Sequence, residues 1–127
     1  MKKLILLLLP FLGYSQAHLG HTEYEIRSYH PDTQFKRDWT ADGNKYLMGK
    51  MQLGTFIYYF NSNGYSDFNV QVPNSIKDAN YQAEIYNNKY VRTSQTSWTA
   101  YLEGGGIMKI EMVFDDKINT FVFRYGN

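Results

Sequence analysis

Between Thr55 and Phe60 the side chains alternate: Phe56, Tyr58 and Phe60 point one way while Thr55, Ile57 and Tyr59 point the other, the period of two that a strand imposes. Asn61-Ser62-Asn63-Gly64 follows, then a partner run from Tyr65 to Val72, so the pair predicts a hairpin with a four-residue loop. Bulk on both faces of Thr55 to Phe60 places that strand inside a sheet with a helix over one side. Upstream, Phe35 to Trp39 and Tyr46 to Gln52 flank the turn residues Asp42-Gly43-Asn44 and are predicted strands. The last third predicts a meander of Tyr90 to Thr93, Trp98 to Leu102, Ile107 to Phe114 and Asn119 to Tyr125. Met108, Ile110, Met112 and Phe114 oppose Lys109 and Glu111, while Phe121, Phe123 and Tyr125 oppose Thr120 and Arg124. One dry face and one wet face mark an antiparallel sheet.

Two stretches break this alternation. Thr22-Glu23-Tyr24-Glu25 is a capping box, in which the Thr22 hydroxyl serves a free amide and Glu25 reaches back. It predicts a short helix over Glu23 to Tyr29, closed by Pro31. A second helix is predicted from Ser75 to about Asn87, with Ile76, Ala79, Ala83 and Tyr86 as a narrow apolar stripe. Helix, strands, helix, strands amounts to an α+β fold, two short helices packed on one face of an antiparallel sheet. Trp39-Thr40-Ala41 returns as Trp98-Thr99-Ala100, and Thr55-Phe56-Ile57-Tyr58 is similar to Thr120-Phe121-Val122-Phe123. These echoes suggest two αβββ-like units.

The first residues follow a different logic. Lys2 and Lys3 precede an apolar run, Leu4 to Leu12, of about nine residues, against the roughly 20 needed to span a bilayer. Residues 1–17 therefore have the form of a secretory signal peptide, cut after Ser15 or Ala17, with 18–127 as a single exported domain and no permanent membrane anchor. Of the 13 basic side chains, Lys2 and Lys3 leave with the leader, so the 12 acidic residues then outnumber the basic ones by one. The charges are interspersed, which disfavours nucleic-acid binding. With no cysteine, disulfides, thiolate zinc sites and a lipid-modified cysteine are ruled out. The domain is expected to be periplasmic or secreted and to hold together by burial, with 12 Tyr, 8 Phe and 2 Trp as its main material.

Candidate chemistry is sparse. A cut after Ser15 would begin the chain Gln16-Ala17-His18, an amine, two amides and a third-position imidazole that suit Cu(II) or Ni(II). His18 is thus the candidate metal ligand. His30-Pro31-Asp32 is similar to the tripeptide of J-domain cochaperones, but the long basic helix that precedes it there is missing here, and the residues read as a helix end and a turn. The paired carboxylates Glu23 with Glu25, Asp38 with Asp42, and Asp115 with Asp116 lack a catalytic geometry. No nucleophile elbow or phosphate loop occurs, and nothing requires a cofactor.

The aromatic surplus carries the functional expectation. Tyr59, Tyr65, Tyr101 and Tyr125 are candidates for an exposed patch that binds an envelope or extracellular protein, or a glycan. Small periplasmic helix-plus-sheet modules, inhibitors and envelope assembly factors among them, are similar in size and element order, which implies a non-catalytic binding or inhibitor-like role. The alternatives are a small enzyme whose site gathers dispersed residues such as His30, Asp38 and tyrosines, and metal capture through His18.

Overall fold

A computed structural model describes residues 18–102 and 105–126. Helix α1 spans Glu23–Tyr29 and is followed by strands β1 (Lys36–Trp39), β2 (Lys45–Met51), β3 (Gly54–Phe60) and β4 (Ser66–Val72). Helix α2 (Ile76–Lys89) is followed by β5 (Val91–Ser94), β6 (Ser97–Tyr101), β7 (Ile107–Asp115) and β8 (Thr120–Gly126). All strands join one 8-stranded antiparallel sheet in the order β1-β2-β3-β4-β8-β7-β6-β5. The fold is α+β, and each half is a helix followed by a four-strand meander, one strand more than an αβββ unit. The last strands of the two halves, β4 and β8, meet at the centre.

The topology repeats, yet the sequence echoes do not mark the repeat. Trp39 ends the edge strand β1 while Trp98 lies inside β6. Thr55 to Tyr58 lie on β3, whose counterpart in the second half is β7, whereas Thr120 to Phe123 lie on β8, the counterpart of β4. Short aromatic strand segments resemble one another because they solve the same packing problem.

Local chemistry explains both helices. The Thr22 hydroxyl accepts the Glu25 N–H at 3.2 Å and the Glu25 carboxylate accepts the Thr22 N–H at 2.9 Å, which closes the capping box. Ser75 caps α2 by accepting the Asp78 N–H at 3.1 Å. The inward residues of α2 are Ala79, Gln82 and Tyr86 with half-buried Ala83, spacings of three, one and three that keep one face. Ile76, expected on that stripe, stays exposed, and Gln82 takes the place instead.

Strand register puts both helices on the same side. Leu47, Tyr58, Asn69, Tyr125, Ile110 and Trp98 are successive partners across six strands, and all six are buried. The next row runs Gly49, Phe56, Gln71, Phe123, Met112. Phe35 lies so close over Gly49 that a Cβ there would come within 2.5 Å of its ring, which requires glycine at that site. Two apolar clusters result. The first comprises Ile26, Leu47, Phe56, Tyr58 and Phe60. The second holds Ala79, Tyr86, Tyr90, Trp98, Ala100, Met108, Ile110, Phe123 and Tyr125. What separates them is β4, whose buried side chains Ser66, Asn69 and Gln71 are all polar.

Candidate functional site

Among the described residues no helix covers the second face of the sheet, which divides in two. In one row Tyr46, Tyr59 and Phe68 are lateral partners on β2, β3 and β4, and the row continues through Gly126 to Lys109 and Thr99. In the row beside it Met48, Ile57 and Val70 give way to Arg124, Glu111 and Ser97. The first half of this face thus carries a ladder of rings, with Tyr46 and Tyr59 centroids 5.8 Å apart and Tyr59 and Phe68 again 5.8 Å apart, and its rows end on β1 at Asp38 and Lys36. In the same two rows the second half is polar and charged, with exposed Tyr101 and Ile107 beside them. A shallow cleft of about 720 Å³ lies there, lined by Asp67, Phe68, Thr99, Lys109, Glu111 and Arg124 among others. Arg124 and Glu111 approach within 3.7 Å, both about half exposed, a geometry worth little stability and open to a partner's charges.

The four tyrosines named from the sequence do not share this face. Tyr59 belongs to the ring ladder, and Tyr101, 67% exposed, stands at the end of β6 on the Thr99 side. Tyr65 is exposed but precedes β4 and bridges to Thr22. Tyr125 is the correction: it is buried under α2 because it has the parity of Phe123, not that of Arg124. Tyr46, Phe68 and the charged trio Lys109, Glu111 and Arg124 were missed as site residues. Alternation had assigned Lys109, Glu111 and Arg124 to the wet face, but their lateral continuity with the rings depends on register between distant strands.

On the covered face, β4 carries a buried polar network. The Gln71 amide donates to the Gln82 carbonyl at 2.7 Å and to Leu53 O at 2.8 Å, while Gln82 donates back to Gln71. Tyr125 donates its hydroxyl to Gln71 at 2.7 Å, and the Tyr86 and Tyr125 hydroxyls lie 2.6 Å apart. Burial pushes both phenols up, out of reach of ordinary pH.

At the other end of β4 all 3 histidines of the chain meet. His18 is fully buried, with Nδ1 2.8 Å from His21 Nδ1 and Nε2 2.7 Å from His30 Nε2. Tyr29 stacks on His18 at 5.2 Å and on His21 at 5.4 Å, Tyr58 meets His18 edge-on at 5.6 Å, and Phe35 touches His30. Burial, with the charges of His30 and His21 as lesser causes, lowers the His18 pKa to about 3, and burial also lowers that of His30. His18 turns its two nitrogens toward different partners, so the rings do not converge on a common point, and among the described residues no trio of ligand-type side chains is placed to hold a metal. Gln16 and Ala17, which would supply the amine and amides of the Cu(II) or Ni(II) motif, lie outside the described residues. For the dispersed enzyme site, His30 faces His18 whereas the Asp38 carboxylate accepts the Trp39 N–H at 2.8 Å.

Beside the histidines, Glu23 on α1 meets Arg27 at 2.9 Å, Arg37 at 3.0 Å and Lys45 at 3.1 Å. Burial would push this carboxyl up, but hydrogen bonds from Arg37, Lys45 and Arg27 prevail and hold its pKa down at about 2. Among the described residues no helix is long and apolar enough to cross a membrane. Comparison with family models, curated proteins and solved structures finds no match.

Proposed function

We propose that this protein is an exported, non-catalytic binding module that takes hold of another protein, in the envelope or outside the cell, with the open face of its sheet. The observation that carries this reading is the in-register change on that face from the ladder of Tyr46, Tyr59 and Phe68 to the charged group of Lys109, Glu111 and Arg124. Rings supply contact area at low entropic cost, and half-exposed charges beside them select and orient a partner. A folded chain needs neither on a face that serves only to meet water, where scattered apolar side chains would do. Export is supported by Lys2, Lys3 and the short apolar run that follows.

A photo-reactive amino acid at Thr99, within the cleft, tests the binding reading in the native host. A discrete adduct is expected there, and none from the same group at exposed Tyr81 on α2. Equal labelling from both positions, or none from either, would sink it. Amino-terminal sequencing of the protein from the secreted or periplasmic fraction tests export separately: a start at Gln16 or His18 supports it, and a chain retained inside the cell with Met1 in place does not.

A further inference from the structure

We propose that His18, His21 and His30 form an acid-operated latch: in their neutral state they hold the strap of residues 18–22 across the seam between the two half-cores, and proton uptake by His18 and His30 lets the strap go. Among the described residues, the capping box ties Thr22 to α1 and the strap's other anchors are backbone bonds and one apolar contact. The Gly20 N–H donates to Ser66 O at 2.6 Å, the Ser66 N–H donates to His21 O at 2.8 Å, Thr22 bridges to Tyr65, and Leu19 packs against the second cluster. The backbone at His18 is left-handed, φ +51°, a conformation that a non-glycine residue keeps only when its surroundings hold it there. What holds it is the imidazole, which reaches back to Tyr58 of the first cluster while the adjacent Leu19 reaches to the second.

The protonation logic follows from the donor and acceptor inventory. A neutral imidazole has one N–H and one lone pair, so a row of three neutral rings satisfies both His18 contacts, with the protons running in either direction. One added proton places a charge on a ring walled by Tyr29, Tyr58 and Phe35. A second sets like charges on rings whose nitrogens are less than 3 Å apart. Of the nearby carboxylates, Glu25 is exposed and bonded to the Thr22 N–H, and Glu23 is already engaged by Arg27, Arg37 and Lys45, so neither pairs with the buried His18 ring. The closed state thus binds fewer protons than the open one. Its advantage is complete above the ordinary histidine pKa of 6.5 and is lost as the pH falls from there toward the depressed value of His18, about 3.

The test is amide hydrogen exchange at Gly20 and Ser66, read together with the imidazole nitrogens by NMR on the purified protein, in a chelator so that no metal contributes. Between neutral pH and about pH 5, exchange at both amides, corrected for its intrinsic pH dependence, should rise at least roughly tenfold, while Phe123 on the central strand β8 stays protected. His18→Asn, chosen because asparagine tolerates the left-handed backbone, should already be open at neutral pH and respond less than about twofold to acid. His30→Gln, which leaves the His18 backbone untouched, should reduce the acid response and keep the fold. A His18 that titrates near its ordinary value, or strap amides whose corrected exchange ignores pH in the unmodified protein, would overturn the latch.

Discussion

The two halves of this molecule share a topology and differ in what fills the space between helix and sheet. In the second half a helix of 14 residues covers the sheet, and the polar groups where the two meet, Gln82 and Tyr86 of the helix with Tyr125 of β8 and Gln71 of the adjoining β4, are uncharged and satisfy one another. In the first half the helix has 7 residues, and the room it leaves is taken by imidazoles and by the cations gathered on Glu23. One half is closed by groups that carry no charge, the other by imidazoles and a carboxylate whose pKa values folding lowers. Stability against acid should therefore be set by the first half, and stability in general by the second, whose cluster is larger.

The largest expected effect tests whether the halves stand or fall together. Trp98 is 1% exposed, and its indole N–H donates to Asn87 at 2.8 Å. Trp98→Ala should cost about 3–5 kcal/mol in chemical denaturation. Because β4 and β8 are laddered at the centre, a single transition is expected at a lower midpoint. Two resolved transitions, with the first half surviving, would show that the halves fold separately and that the comparison is between two domains.

A smaller effect belongs to the uncharged network. Gln82→Leu leaves one N–H of the Gln71 amide facing an apolar side chain while the other stays on Leu53 O, and an orphaned buried polar group costs about 1–3 kcal/mol. Tyr86 and Tyr125 still bond to each other and Tyr125 to Gln71, so the cost should fall toward the lower end of that range. It should be the same at neutral and mildly acid pH. Replacing Gln71 and Gln82 together by leucine should cost less than the two single changes added, because both partners go at once.

Glu23→Gln should cost about 1 kcal/mol at neutral pH, since its partners Arg27 and Arg37 are 41% and 50% exposed and water screens them. Here the pH dependence carries the information. The folded pKa lies below the ordinary 4.5, at about 2, so the carboxylate's contribution is whole above pH 4.5 and fades as the pH falls toward 2. Denaturation curves of the parent and the variant should converge over that interval. A constant gap would assign the effect to packing.

Most of this fold is legible in the chain because its elements are specified locally. The Thr22 to Glu25 box delimits α1 at Glu23–Tyr29, and Phe56, Tyr58 and Phe60 announce β3 and its buried face. What alternation alone leaves out depends on long-range register. Gln71 and Gln82 look like surface residues until β4 is placed between two aromatic strands and α2 laid over them. His18 and His30 are 12 positions apart and meet through a left-handed turn that no hydrophobic pattern encodes. The burial of Tyr125 was readable from its parity with Phe123, whereas the division of the open face was not, since each of its rows crosses strands from both halves.

The smallest effect on stability should accompany the largest on binding. Glu111→Lys sets a cation beside Arg124 and Lys109 on the cleft wall. Because these side chains are half exposed and the existing pair spans 3.7 Å, the folding free energy should move by no more than about 0.5 kcal/mol. The partner that crosslinks at Thr99 should nevertheless be lost, because a surface complementary to mixed charge meets three adjacent cations instead. Glu84→Lys at an exposed site on α2, which changes the net charge by the same two units on the opposite side, should leave capture intact. If both lysines weaken capture equally, the protein attracts its partner through net charge alone, and the open face has no special part in recognition.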